Sequence, residues 1–129
     1  MRNKCIKRIC EFARDSRSGP YFRVTGIAHY QETTYERYFS EITQEDIERF
    51  VEGDPSLVED WLSFTDDKRC TPSWGLRKHL DKWLVFHITR AANFDYELVF
   101  DSPIRACAMM IRMEMENFRF MSITKVAGD

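Results

Sequence analysis

The hydrophobic pattern of this chain changes its period along the sequence, and that change limits the folds it can adopt. Residues 3–15 place Ile6, Ile9, Cys10 and Ala13 at the spacing of one helical face. Residues 83–89 and 94–100 place a bulky apolar side chain at every second position, which is typical of strands. With 129 residues, 43% of them apolar, the chain is long enough for one compact core. The pattern therefore predicts a single α+β domain over residues 1–129.

Two further helices are predicted in the centre of the chain. Thr43 can cap a helix over residues 43–52, and Gly53 is the expected stop. Asp54 and Pro55 suit the start of the next helix, since Asp is a good N-cap and Pro fits the first helical position. The buried side of that helix would carry Leu57, Val58, Trp61 and Leu62.

Three stretches are expected to contain strands or loop. Residues 21–30 and 33–39 are rich in Tyr, Phe and Thr and predict a strand pair. Residues 65–82 are polar and contain Pro72 and Gly75, which predicts a loop with a helical turn near residues 76–80. Residues 83–89 and 94–100 repeat bulky apolar side chains at period two and predict two strands of an antiparallel meander.

Residues 104–116 are compatible with either a helix or a strand. Ser102-Pro103 is typical of a helix start, whereas a hairpin turning at Glu116-Asn117 would pair Glu114 with Arg119. A helix would place the Glu114 carboxylate within an apolar wall at a cost of several kcal/mol, so the strand is favoured. The expected architecture is an antiparallel sheet, made of the N-terminal strand pair and the C-terminal meander, covered by an N-terminal helix and two acidic helices.

The near-neutral net charge of −2 conceals strong segregation of charge along the chain. Residues 1–30, the basic block, carry seven basic and two acidic residues. Residues 31–67, the acidic block, carry two basic and twelve acidic residues, and residues 68–129 carry ten and seven. An acidic face of this kind accelerates encounter with a basic partner and repels nucleic acid. It is equally typical of a solvated helix face that only favours solubility.

The candidate partner-binding residues lie within the acidic block. Glu45, Glu48 and Glu52 share the side of the first acidic helix that faces away from its apolar stripe. The other acidic candidates are Glu59, Asp60, Asp66 and Asp67. Tyr35 and Tyr38 are added because tyrosines are frequent anchors of protein interfaces, whereas Trp61 is expected to be part of the core.

No catalytic or cofactor motif is present in the sequence. His29, His79 and His87 lack a diagnostic neighbour, and no HExxH, GxSxG, GxGxxG or P-loop spacing occurs. We therefore expect a protein that is not an enzyme and binds no metal or cofactor. A histidine-dependent enzyme is one alternative, and a self-associating or scaffolding protein, in which the basic helix of one copy meets the acidic helices of another, is a second.

The compartment is expected to be the cytoplasm. The first twenty residues lack the apolar stretch of a secretory signal, and no apolar run approaches the length of a membrane span. The four cysteines follow neither a CxxC pattern nor the dense spacing of small secreted domains, so free thiols are expected.

One segment resembles a known group of proteins. The stretch from Trp61 to Arg69, with the sequence WLSFTDDKR, and the following Trp74-Gly75 are similar to a segment of small bacterial immunity proteins that neutralise contact-dependent or other polymorphic toxins. The resemblance covers about a tenth of the chain. It implies a cytoplasmic, non-enzymatic α+β protein whose acidic surface binds a basic toxin domain. The expected partner is therefore a basic protein, often a nuclease, while the segregated charges would also allow a homodimer.

Overall fold

The chain forms one α+β unit in a computed structural model, which describes residues 1–19, 25–67, 73–88 and 94–127. The helices are α1 (Arg2–Cys10), α2 (Phe12–Ser18), α3 (Gly26–Thr33), α4 (Tyr35–Tyr38), α5 (Gln44–Gly53), α6 (Leu57–Asp67) and α7 (Pro103–Ala127), with a short 3-10 helix at Phe39–Glu41. The strands are β1 (Ser73–His79), β2 (Lys82–Ile88) and β3 (Phe94–Phe100). The predicted fold class is confirmed.

The sheet is an antiparallel meander in the order β1-β2-β3. Strands β2 and β3 confirm the two strands that the period-two repeat predicts, whereas the prediction of a loop and helical turn over residues 65–82 is wrong, because α6 continues to Asp67 and β1 begins at Ser73. Gly75, which the sequence suggested as a loop residue, instead packs closely against Phe86 of β2 and Thr65 of α6. In addition, the backbone N–H of Leu76 donates to Oγ1 of Thr65 at 3.0 Å and ties β1 to α6.

The hairpin predicted within residues 104–120 is wrong, because α7 is one continuous helix. Its residues are buried on several sides, and it contacts α5, α6 and the sheet. Glu114 is buried as the helical alternative required, but its carboxylate accepts a hydrogen bond from the backbone N–H of Trp74 at 3.4 Å. The expected cost therefore does not apply in full, since a buried polar group that finds a donor avoids much of the penalty.

The predicted N-terminal strand pair is also wrong within residues 25–41, where the structure has α3, α4 and the 3-10 helix; residues 20–24 lie outside the described part. Thr25 caps α3, because its hydroxyl accepts from the backbone N–H of Ala28 at 3.2 Å. Tyr30 and Tyr35 are fully buried in helices. Aromatic and β-branched residues favour strands only through the surface on which they pack, and here helix packing buries them equally well.

The two acidic helices are confirmed. The hydroxyl of Thr43 accepts from the N–H of Asp46, and the Asp46 carboxylate accepts in return from the N–H of Thr43, which forms a capping box at the start of α5. Helix α6 buries Leu57 and Trp61 completely, and the indole of Trp61 donates to the carbonyl oxygen of Cys10 at 2.9 Å. Trp61 is thus a core residue, as expected.

The predicted N-terminal helix is present as two helices, α1 and α2, that meet at Glu11. Ile6, Ile9 and Cys10 of α1 and Ala13 of α2 are buried, as their spacing predicts. Across the described residues, no helix combines the length and the apolar character needed to cross a membrane.

The close packing of Gly75 yields a stability prediction. A Cβ atom at Gly75 would lie 2.6 Å from Cζ of Phe86 and 2.9 Å from Cγ2 of Thr65, so Gly75→Ala should lower the free energy of unfolding by about 1–3 kcal/mol. Gly53→Ala is the matched control, because a Cβ there meets no atom within 4 Å. It should leave stability unchanged or raise it by about 0.5–1 kcal/mol. Urea unfolding measures both, and equal stability of the two variants would contradict the packing argument.

Candidate functional site

The exposed side of α5 carries three of the predicted binding residues. Glu45, Glu48 and Glu52 follow one another at helical spacing and form what we call the α5 ridge. Glu45 is 80% exposed and pairs with Arg49 at 2.8 Å, while Glu48 is one-third exposed and lies 3.9 Å from Arg105. Glu52 is exposed and makes no ion pair within the described residues. The α5 ridge is therefore accessible along its length.

The predicted residues of α6 divide into exposed and engaged side chains. Glu59 and Asp66 are exposed and lie two turns apart on one side of the helix, which we call the α6 ridge. Asp60 differs from the prediction, because its carboxylate accepts from Nε of Arg14 at 2.8 Å and its side chain is mostly buried. Asp67 is the last residue of α6, and its side chain lies outside the described residues.

Folding brings part of the basic block onto the acidic block. Arg2 of α1 pairs with Asp46 at 2.7 Å, and Arg14 of α2 pairs with both Asp54 and Asp60. Hydrogen bonds from Thr43 and the charge of Arg2 lower the pKa of Asp46. Hydrogen bonds from Ser56 and Arg14 likewise lower the pKa of Asp54. These ion pairs form within one chain. They engage arginines and carboxylates of the same helices that the self-association alternative would join between two copies.

Tyr35 does not belong to an accessible surface, which corrects its assignment as a partner contact. Its ring is fully buried, and its hydroxyl donates to Oε2 of Glu116 at 2.7 Å and accepts from Nη1 of Arg112 at 2.8 Å. Burial raises the pKa of Tyr35. Tyr38 is half-buried, with the Arg37 guanidinium 5.5 Å from its ring centre, so only part of its ring is available to a partner.

The polar cluster around Tyr35 was not anticipated from the sequence. Arg112 donates to the Tyr35 hydroxyl and also to the backbone carbonyl oxygen of Ile42. Arg119 forms two hydrogen bonds with Glu116. Burial acts against ionisation of Glu116, but hydrogen bonds from Arg119 and Tyr35 lower its pKa overall. The cluster joins α7 to the segment before α5, and no local pattern connects residues so distant in the chain.

The three histidines occupy separate positions. His29 is buried, stacks on Phe12 with 4.0 Å between ring centres, and has its Nδ1 2.7 Å from Oγ of Ser16. Burial lowers its pKa to about 4, so the imidazole is a weak base at neutral pH. His79 is exposed at the end of β1, and His87 lies against Trp74. His29 is therefore part of the core packing, whereas His79 is exposed and His87 is only partly buried.

The cysteines offer no reactive thiolate in the described part of the chain. Cys5, Cys10 and Cys107 are buried free thiols, as predicted for them, and Cys70 lies outside the described residues. Burial raises the pKa of all three thiols, which keeps them protonated at neutral pH. Among the described residues, no group of three or more His, Cys, Asp or Glu side chains could hold a metal ion.

Comparison of the chain with protein-family models, curated proteins and solved structures found no match.

The surroundings of His29 predict how stability depends on pH. Its pKa is about 4 in the folded protein, against an ordinary value of 6.5 for an unburied histidine, so the unfolded chain binds the extra proton first as the pH falls. The stabilisation is complete above pH 6.5 and diminishes below it, by about 2 kcal/mol between pH 7 and pH 5. Urea unfolding at these two pH values should show this loss, and His29→Gln should reduce it.

A direct titration provides the control for that prediction. In the folded wild-type protein, the NMR signals of the His29 ring should complete only about a tenth of their titration shift between pH 7 and pH 5. Titration of the His29 ring near its ordinary pKa would contradict the assignment, whatever the stability of the variant.

Proposed function

We propose that this protein binds another protein and acts as an immunity-type inhibitor, in the cytoplasm, of a basic toxin domain. The observation that carries the proposal is the division of the acidic side chains into two groups. Asp46, Asp54 and Asp60 are bound by arginines of the same chain and serve the fold. Glu52, Glu59 and Asp66 are exposed and make no ion pair within the described residues, so folding does not account for them.

Exposed carboxylates of this kind favour association with a basic surface. Attraction between opposite charges raises the rate of encounter, and the effect decreases as salt is added. The pair between Glu45 and Arg49 is no obstacle, because an exposed ion pair between neighbouring helical turns contributes only a few tenths of a kcal/mol. A partner could therefore replace Arg49 at Glu45 with little cost.

A domain that handles nucleic acid suits this surface best as a partner. Such domains carry Lys and Arg residues that neutralise phosphates, and an acidic inhibitor can occupy the same basic surface. The two ridges would repel nucleic acid itself. The segment around Trp61 that resembles immunity proteins contains Asp66 of the α6 ridge, which is consistent with this proposal.

Charge reversal with a matched control tests the proposal. The ridge variant is Glu45→Lys, Glu52→Lys and Glu59→Lys, and the control variant reverses three exposed acids elsewhere, Glu32→Lys, Glu41→Lys and Asp81→Lys. Both change the net charge equally. Immobilised wild-type protein and both variants are incubated with a lysate of the source cells, and the retained proteins are quantified by mass spectrometry.

The wild type and the control variant should retain the same basic protein, and the ridge variant should retain it at least about tenfold less. The retained protein is then produced in a host cell. Its expression should inhibit growth, and coexpression of the wild type or the control variant, but not the ridge variant, should restore growth. Equal retention by both variants would reject the acidic surface, and a retained protein without toxicity would reject the immunity-type role.

A further inference from the structure

A cleft of about 470 Å³ lies between α1 and α5, beside the α5 ridge. Ile6 of α1 and Phe50 of α5 contribute apolar surface to it, and Gly53 lies at the end of α5. A Cβ atom added at Gly53 would meet no atom within 4 Å, so the space next to this residue is open. The volume lies in the range of pockets that bind small organic groups.

The charged residues that line the cleft are balanced and engaged with each other or with neighbouring side chains. Arg2 and Arg49 oppose Asp46 and Asp54, so the lining as a whole carries no net charge. Arg2 is bonded to Asp46, and Arg49 is bonded to Glu45. Because these charges cancel, the group that enters the cleft is best an uncharged apolar one that contacts Ile6 and Phe50.

The surroundings of the cleft are acidic. Glu45 and Glu52 of the α5 ridge are exposed. Glu52 directly precedes the lining residue Gly53, and Glu45 lies one helical turn before the lining residue Arg49. Residues that flank the inserted group in a bound segment would therefore meet carboxylates. Charge complementarity then favours Lys or Arg at these flanking positions.

We propose that this cleft receives one large apolar side chain, aromatic or aliphatic, from a segment of the partner in which basic residues flank it. The proposal rests on the function proposed above and adds the anchor that the acidic ridges lack. Interfaces typically concentrate their binding energy in a few apolar side chains inserted into pockets with a polar rim. The ridges would attract and orient the partner, and the cleft would hold it.

Three short peptides of defined sequence test this proposal without the partner. The probe is acetyl-Lys-Lys-Phe-Lys-Lys-amide. One control replaces Phe by Gly and keeps the charge, and the other replaces the four lysines by Glu and keeps the aromatic ring. Each is titrated into the full chain labelled with ¹⁵N and with ¹³C at the isoleucine methyl groups, and the NMR signals of Ile6, Phe50 and Glu52 are followed.

The Phe peptide should shift the signals of Ile6 and Phe50 with a dissociation constant of about 1 mM, and the Gly peptide should bind at least about fivefold more weakly. The Glu peptide should not shift these signals. Gly53→Trp adds a bulky ring at the lining of the cleft and should abolish the shifts of Ile6 and Phe50, whereas Asp81→Trp, at an exposed position that does not line the cleft, should retain them. Melting curves of both variants report whether the fold is intact.

The outcomes separate this proposal from the proposed function. Equal shifts with the Phe and Gly peptides, confined to the acidic ridge, would overturn the cleft as an anchor site and leave the acidic surface in place. Binding of the Glu peptide in preference to the Phe peptide with lysines would overturn the basic flanks. No shift with any peptide would overturn the cleft proposal, and the ridge variant in the capture experiment would then decide the fate of the proposed function separately.

Discussion

The burial of α7 is the constraint on which the other elements depend. This helix contacts α1, α3, α4, α5, α6 and all three strands, and Ala106, Ala108 and Ile111 are completely buried in it. Glu114 is buried as well, and the N–H of Trp74 in β1 donates to its carboxylate. A buried carboxylate without a donor would cost several kcal/mol, so the position of β1 and the burial of α7 support each other.

Ion pairs join the N-terminal helices α1 and α2 to the acidic helices α5 and α6. Arg2 and Arg14, from the basic block, bind carboxylates at the start of α5, at its end and in α6. Because the Asp46 carboxylate also accepts from the backbone N–H of Thr43 in the capping box, it stabilises the start of α5 and joins α5 to α1. Because these side chains remain partly exposed, each ion pair contributes only modestly to the free energy of unfolding.

The proposed site and the fold share helix α5. Its buried side packs Ile47 and Val51 into the core, its exposed side carries the α5 ridge, and its flank with Phe50 lines the cleft. The two proposals therefore assign separate sides of one helix to attraction and to anchoring. Such a division is common in interfaces, where charged residues set the encounter rate and buried apolar groups determine how long a complex lasts.

Local patterns in the sequence determined α5, α6, β2 and β3, because a capping residue such as Thr43, or a repeat at period two, depends only on residues a few positions apart. They failed for α3, α4, β1 and α7, where packing between distant segments decides which backbone form buries Tyr35 or Glu114. The sequence also determined that Glu45, Glu52 and Glu59 point away from the apolar stripes. Only the tertiary structure decided which acids remain available, since Asp54 and Asp60 are both bound by Arg14, which lies 40 and 46 residues earlier in the chain.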